Sequence, residues 1–184
     1  MAAVCVFCAS SSTLDERWLE LARQIGVELA AAGHSLVSGG GRVGMMGTVA
    51  AGARSAEGYT LGVIPESMIA WEVADTGADE LVVTDDMAAR KAIMIERSDA
   101  FLVLPGGLGT LDELFEVWTT AMLGLHAKPV VLLNVDGFFT GLLDWLATLV
   151  LQGFVRPSAM ESLVLAASVP EAMDALQRCR TPMV

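Results

Sequence analysis

Positive charge is scarce in this chain, where 11 Lys and Arg stand against 22 Asp and Glu for a net charge of −11. Binding to DNA, RNA or anionic lipid draws on a basic footprint, so neither a nucleic acid nor a membrane is expected as partner. A phosphate ligand would need its cations from a local cluster inside a cleft. Cysteine is as sparse: Cys5, Cys8 and Cys179 make no even disulfide framework. Cys5 and Cys8 form a C-x-x-C, but no second pair or histidine cluster completes a zinc set. They fall in Val4-Cys5-Val6-Phe7-Cys8, which reads as a buried first strand with both thiols packed as core. The two histidines, His34 and His126, are isolated and lack ligand spacing, so each is expected in a surface or loop position and no metal is implied. No apolar run reaches the ~18 residues of a membrane span, and no charged stretch, apolar core and cleavage site open the chain. A cytoplasmic location is expected.

What is abundant points elsewhere. Hydrophobic residues make up 54% of the 184, glycine numbers 18, and charged residues are only 18%, below the usual ~25%. That length suits a single domain spanning 1–184 with its own core. The apolar surplus predicts a subunit interface, hence a homo-oligomer.

Short β-rich runs alternate with helical stretches. Strands are expected at Val4–Cys8, His34–Ser38, Thr60–Ile64, Glu80–Val83, Ala100–Leu104, Pro129–Asn134 and Leu163–Ala166. Helices are expected over Asp15–Ala32, Gly44–Glu57, Met87–Arg97, within Pro105–Leu123, over Gly137–Gly153, and at the close of the chain. Gly33 stands where a left-handed cap ends a helix, Asp85 or Asp86 is placed as an N-cap, and Glu66–Asp79 reads as a loop with some helix. The strands are continuous apolar runs, as when helices cover both faces of a parallel sheet. The fold class is therefore α/β, a Rossmann-like doubly wound parallel sheet.

Ligands in such sheets gather beyond the carboxyl ends of the strands at a topological switch point. Three loops share that address: Ala9–Thr13, Gly39–Gly47 and Pro105–Glu113. Gly39-Gly40-Gly41-Arg42-Val43-Gly44 matches G-x-G-x-x-G, with Glu66 at a distance suited to a ribose. It follows the second strand, however, and no second domain is at hand to carry a substrate. It reads as a nucleotide-facing wall, with a dinucleotide site or plain helix packing as alternatives. Pro105-Gly106-Gly107-Leu108-Gly109-Thr110-Leu111-Asp112-Glu113 is stronger, since glycines let backbone amides at a helix start approach an anion. Thr110 to Glu113 is also a capping box, which alone would explain both residues. No Lys follows the last glycine, so this is not a Walker loop. Arg90 and Lys91 sit on a largely apolar helix and are the cations nearest in sequence.

Taken together, these residues resemble the Lonely Guy family, long mislabelled as lysine decarboxylases, whose members are cytokinin riboside 5'-monophosphate phosphoribohydrolases. The family pattern P-G-G-x-G-T-x-x-E preceded by R-K is present as Pro105–Glu113 and Arg90-Lys91. Ser38-Gly39-Gly40-Gly41, Gly44-Met45-Met46-Gly47, Lys128-Pro129 and Asn134-Val135-Asp136-Gly137 are similar to it as well, and the likeness runs from about Val4 to Val164. The resemblance implies that Gly106, Gly107, Gly109 and Thr110 hold a 5'-phosphate, with Gly40 and Gly41 nearby. It implies Arg90 and Glu113 as the catalytic pair, and Glu72, Lys91 and Thr119 as ligand contacts. No cofactor is implied, and the resemblance suggests a homodimer, with hexamers known for other members. Where the family commonly shows M-H-x-R-K or M-x-E-R-K, this chain has Met87-Ala88-Ala89-Arg90-Lys91, which removes polar groups beside Arg90.

The activity so implied is hydrolysis of the N-glycosidic bond of an adenosine 5'-monophosphate, plain or N6-substituted, to free base and ribose 5-phosphate. Pocket depth selects the base, and Trp71 and the methionines are candidates to line it. A binding module that senses AMP without cleaving it is the main rival. Lysine decarboxylation fits poorly, because no pyridoxal-type Lys setting with a separate phosphate cup is evident.

Overall fold

Apolar runs buried on both faces pair as parallel strands, with the crossovers folding into helices that cover them. The computed structural model describes residues 2–69 and 73–178. Its strands are β1 (Ala3–Phe7), β2 (Ser35–Ser38), β3 (Thr60–Pro65), β4 (Glu80–Thr84), β5 (Ala100–Val103), β6 (Val130–Leu133) and β7 (Leu163–Ala166). They form one parallel sheet in the order β4-β3-β2-β1-β5-β6-β7. The helices are α1 (Glu16–Ala31), α2 (Gly44–Ser55), α3 (Met87–Glu96), α4 (Leu108–Met122), α5 (Thr140–Leu151), α6 (Pro157–Glu161) and α7 (Val169–Arg178).

Alternation along each strand divides the core. Val4, Val6, Leu36 and Leu102 face Ile25, Val49 and Ala172 of α1, α2 and α7. Cys5, Phe7, Val37 and Phe101 face Met94, Leu114 and Leu146 of α3, α4 and α5. The chain winds from β1 outward to β4 and then returns to β5 beside β1. Winding thus reverses between β1 and β5, and the loops that leave these two strands part at the carboxyl edge. A crevice at that edge follows from the topology.

Local signals explain the helix ends. The Asp15 side chain accepts from the Arg17 amide ahead of α1, Gly33 takes φ 74° after it, and Asp86 accepts from the Ala89 amide at 2.8 Å. Several expectations need correction. β1 ends at Phe7, so Cys8 leaves the sheet and stands on the crevice wall. His34 is buried at 4% exposure rather than superficial, because the Gly33 turn folds the chain back and the His34 amide donates to the Leu29 carbonyl. His126 does lie in a loop as expected, half-buried with its ring 5.5 Å from that of Phe101. The short α6, with Pro157 in its first turn, was not expected from the pattern. No helix among the described residues is long and apolar enough to cross a membrane.

Close packing of α1 on α2 fixes where the loop that begins at Gly39 passes into its helix. A Cβ on Gly26 would strike the backbone of Val49, Gly52 and Ala53, and one on Gly52 the Arg23 carbonyl. Backbone cannot yield as a side chain tip can. Gly26→Ala is therefore expected to destabilise the fold by about 1–3 kcal/mol, the usual cost of overpacking, measurable as a lower urea midpoint. An unchanged midpoint would mean that the two helices separate freely.

Candidate active site

The crevice between the β1 and β5 loops holds a cleft of about 380 Å³, within the ~300–1,000 Å³ of small-molecule sites. Its walls come from Cys8, Ser10 and Ser11 after β1, Gly39 after β2, Met68 after β3, Met87 and Arg90 of α3, and the start of α4 from Gly107 to Glu113.

Two helices begin at this edge, and their first amides differ in availability. The amides of Met45 and Met46 in α2 donate to the Ala9 carbonyl at 2.9 and 3.3 Å. Gly44, at φ 61°, lies so close to Ser10 and Ser11 that a Cβ would strike their backbone. That start is occupied by the protein itself, so the G-x-G-x-x-G segment leaves no berth for a pyrophosphate and the dinucleotide reading fails. At α4 the N-cap is Gly107, with no side-chain cap. The first amides of a helix have no partner within it and carry the positive end of its dipole. Those of Leu108, Gly109 and Thr110 begin a helix whose opening residues line the cleft.

This start also corrects the capping-box reading. Thr110 is the third helical residue rather than the N-cap, since the Leu111 amide already bonds to the Gly107 carbonyl at 3.0 Å. Its side chain is buried beside the cleft instead. Gly106 makes that seat possible, because a Cβ there would collide with the Thr110 side chain. Nothing lies within 4 Å of a Cβ placed on Gly107 or Gly109, which leaves both open towards a ligand.

Arg90 departs furthest from a solvated helical arginine. It is 4% exposed, its Nε donates to the Val63 carbonyl at 3.0 Å, and its Nη2 donates to the Gly39 carbonyl at 2.7 Å. The sulfurs of Met87, Met68 and Met46 lie 3.5, 3.7 and 3.9 Å from its terminal nitrogens. A buried charge needs such partners. Backbone carbonyls and polarisable thioethers are thus among its partners, while Ala88 and Ala89 add no polar side chain beside it. Glu113 reaches the same cleft from α4.

The other expected site residues are distributed as follows. Lys91 points the opposite way from Arg90, to Asp112 at 2.9 Å and Glu116 at 2.8 Å; these two bonds raise its pKa, Glu116 the more. It lies behind Glu113 and does not line the cleft. Gly40 and Gly41 do not line the cleft with Gly39 and are tied to residues 73–75, with Gly41 bridging Ala74 and the Gly40 carbonyl accepting from the Asp75 amide. Thr119 is exposed on α4, about 14 Å along the axis from Thr110 at ~1.5 Å per residue. Glu72 and Trp71, like Cys179, lie outside the described residues.

Some of the similar motifs prove to be structural. Lys128 Nζ donates to the Ile95 carbonyl at 2.6 Å at the end of α3, where a cation suits the dipole. In the Asn134–Gly137 turn, Asn134 Oδ1 accepts from the Phe139 amide at 2.7 Å, while Asp136 and Gly137 take positive φ. Ser10, Ser11 and Gly39 lie on the cleft wall in loops expected at this edge, and Met46, Met68 and Met87 line it as candidate methionines, whereas Cys8, read as core, was not expected there. Its position just past the end of β1 at the switch point is the signal that could have found it.

Burial pushes the Cys8 thiol far above its ordinary pKa, and the negative charge of Glu113 adds to the effect. Cys5 shifts in the same direction, again chiefly through burial. Thiolate is the nucleophile, so iodoacetamide is expected to label Cys8 slowly up to pH 9. The folded pKa is raised, so this stability is fully present below the ordinary thiol value of ~8.5. It is lost as pH rises above that, since the unfolded chain releases its protons first. Cys8→Ala should flatten the alkaline side of a melting curve taken against pH. Rapid labelling at pH 8 would contradict the burial.

Comparison with known proteins adds to this geometry. The family described as possible lysine decarboxylase matches residues 46–176. The cytokinin riboside 5'-monophosphate phosphoribohydrolase of Mycobacterium tuberculosis is 52% identical over 176 residues, 96% of this chain and 92% of that protein. The enzyme of the same description from Arabidopsis thaliana, LOG3, is 41% identical over 95% of this chain and 81% of its own. Among solved structures, the molybdenum cofactor binding protein of Rippkaea orientalis superposes with a TM-score of 0.75 at 28% identity, covering 98% of each chain.

Proposed function

Since the chain belongs to the Lonely Guy family, we propose that it hydrolyses the N-glycosidic bond of adenosine 5'-monophosphates, plain or N6-substituted, releasing free base and ribose 5-phosphate. The observation that carries the reading is the uncapped start of α4 opening onto a cleft that also holds Arg90 and Glu113. Open amides there suit a dianionic 5'-phosphate, which supports Gly106, Gly107, Gly109 and Thr110 as the phosphate cup. With the phosphate held, the ribose C1' comes within the reach of Glu113.

Breaking the C1'–N bond develops positive charge on the sugar. Water adds its oxygen to C1', and its proton balances the departing base. The Glu113 carboxylate activates that water and faces the developing charge, while Arg90 holds the ribose and Glu113 in register. Lys91 tethers α4 to α3 through Asp112 and Glu116 and steadies the helix that carries Glu113. Glu72 and Thr119 remain assigned as ligand contacts on the family resemblance, with Gly40 and Gly41 supporting the cleft floor.

A homodimer follows from the same reading. Thr119 lies off its own cleft, and Met122 and Leu123, three and four residues on, share its exposed helix face at 48% and 64% exposure. A second copy covering that face would bury them and bring Thr119 towards the site. The substrate is a small nucleotide and the net charge of −11 argues against nucleic acid and membrane. The free thiols of Cys5 and Cys8 agree with the reducing cytoplasm, and one domain suffices for the whole site.

Incubation with AMP, followed by chromatography, tests the reading against a module that only binds. Adenine and ribose 5-phosphate in equal amounts are expected. AMP recovered intact after hours in complex would overturn it.

A further inference from the structure

Arg90 is held by two backbone carbonyls, and both belong to a single wedge around Gly40. Gly39 supplies one and Val63 the other. Gly40, at φ 73°, is pressed so closely against Val63 that a Cβ would lie 2.9 Å from its amide nitrogen. Gly40 has no side chain to fix its own dihedrals, and glycine samples more backbone conformations than any other residue. Within the segment the Gly40 amide donates to Ser38 Oγ only at 3.4 Å, and stronger contacts come from outside it.

The selecting contact comes from residues 73–75. The Asp75 amide donates to the Gly40 carbonyl at 2.8 Å, the Arg42 amide to the Val73 carbonyl at 3.1 Å, and Gly41 bridges Ala74. Asp75 is in turn gripped by Arg54 near the end of α2. Arg54 Nη1 lies 2.8 Å from Oδ2 and Nη2 3.3 Å from Oδ1, with the carboxylate 9% exposed. Oδ1 also accepts from the Gly77 amide at 3.2 Å. A forked, mostly buried pair of this kind fixes direction as well as distance. Holding the Gly40 carbonyl, with Gly40 packed against Val63, restricts the two Gly40 dihedrals that relate this peptide to the one before it, whose oxygen is the Gly39 acceptor of Arg90.

We propose that Asp75 and Arg54 are positioning residues that seat the Arg90 guanidinium through the Gly39–Gly41 loop. Neither lines the cleft. The consequence for turnover rests on the function proposed above, whereas the seat of Arg90 does not. Loss of the pair should misdirect Arg90 and leave the α4 phosphate cup untouched. It therefore lowers kcat and spares ground-state binding.

The test uses the full chain with 15N-labelled arginine. The Nε–Hε signal of Arg90, identified by its disappearance in Arg90→Lys, reports the bond to Val63. In Asp75→Ala that signal is expected to shift, with its proton exchange accelerated about tenfold or more as the bond opens locally. In the same variant kcat should fall about tenfold while KM stays within about threefold. Arg54→Met should reproduce both changes with the carboxylate intact, in case Asp75→Ala folds poorly. Arg54→Lys should recover part of each. Asp79→Ala is the structural control. It breaks the bonds to the Thr60 amide and hydroxyl on the same segment and should lower stability without moving the Arg90 signal. An unmoved Arg90 signal in both Asp75→Ala and Arg54→Met overturns the proposal, whatever the activity. A moved signal in a protein whose wild type releases no base upholds the seat of Arg90 and removes the functional reading instead.

Discussion

Glu113→Gln is expected to cut base release from a nucleoside 5'-monophosphate by about 10²–10⁴-fold, the usual worth of a positioned general base. Glutamine has nearly the shape of glutamate, and only the charge and the basicity are lost. Glu113 projects from α4 into the cleft beside Thr110, so the substitution leaves the amides at the helix start in place. Affinity for ribose 5-phosphate should therefore stay within about threefold, and the loss should appear in kcat rather than KM. The folded state is expected to survive, because Glu113 is only partly buried. Steady-state kinetics, a ribose 5-phosphate titration and a melting curve on one preparation check all three. Turnover near that of wild type in a folded Gln variant would remove Glu113 from the chemistry.

The second large effect is expected far from the α4 loop in sequence. Gly39→Ala adds one methyl, and that methyl collides with Arg90 Nη2. The Met46 sulfur is the next obstacle, at 2.8 Å. Arg90 must then leave its carbonyl partners, and a charged hydrogen bond lost in the interior costs about 1.5–3 kcal/mol. With the bonds to Gly39 and Val63 both disturbed, a stability loss of about 2–5 kcal/mol follows, together with near-complete loss of turnover. Arg90→Lys should share the loss of turnover, because a point charge on a flexible stem cannot span both carbonyls. An active, stable Gly39→Ala protein would mean that Arg90 has a second seat of equal quality.

These two residues mark what was legible in the sequence. Glu113 could be placed at the cleft because its position depends on a local motif, strand then glycines then helix, whose geometry is set within nine positions, while the role proposed for it came from the family resemblance. The strands were legible for a similar reason, since continuous apolar runs and the turn at Gly33 act over short distances. The capping-box alternative for Thr110 arose because the same four residues satisfy that pattern wherever the helix begins, and the backbone begins it at Leu108. Arg90 could be suspected from its pairing with Lys91, yet the two diverge, one into the sheet edge and the other to Asp112 and Glu116. Gly39 was read as part of a nucleotide wall. Its partner is 51 residues away, and the availability of the α2 start was decided by the Ala9 carbonyl. Non-local contacts of this kind leave no periodic trace. The Asp75–Arg54 pair and the burial of His34 were hidden for the same reason.

A phosphate-anchored cleavage is tested most directly by comparing base release from AMP, isopentenyladenosine 5'-monophosphate and adenosine under identical conditions. Release from both monophosphates with none from adenosine is the predicted result, and the ratio of the two monophosphate rates reads out the base preference of a cleft rimmed by methionines. Equal release from adenosine would contradict the phosphate cup at the start of α4, and no release from any of the three would contradict the hydrolysis itself.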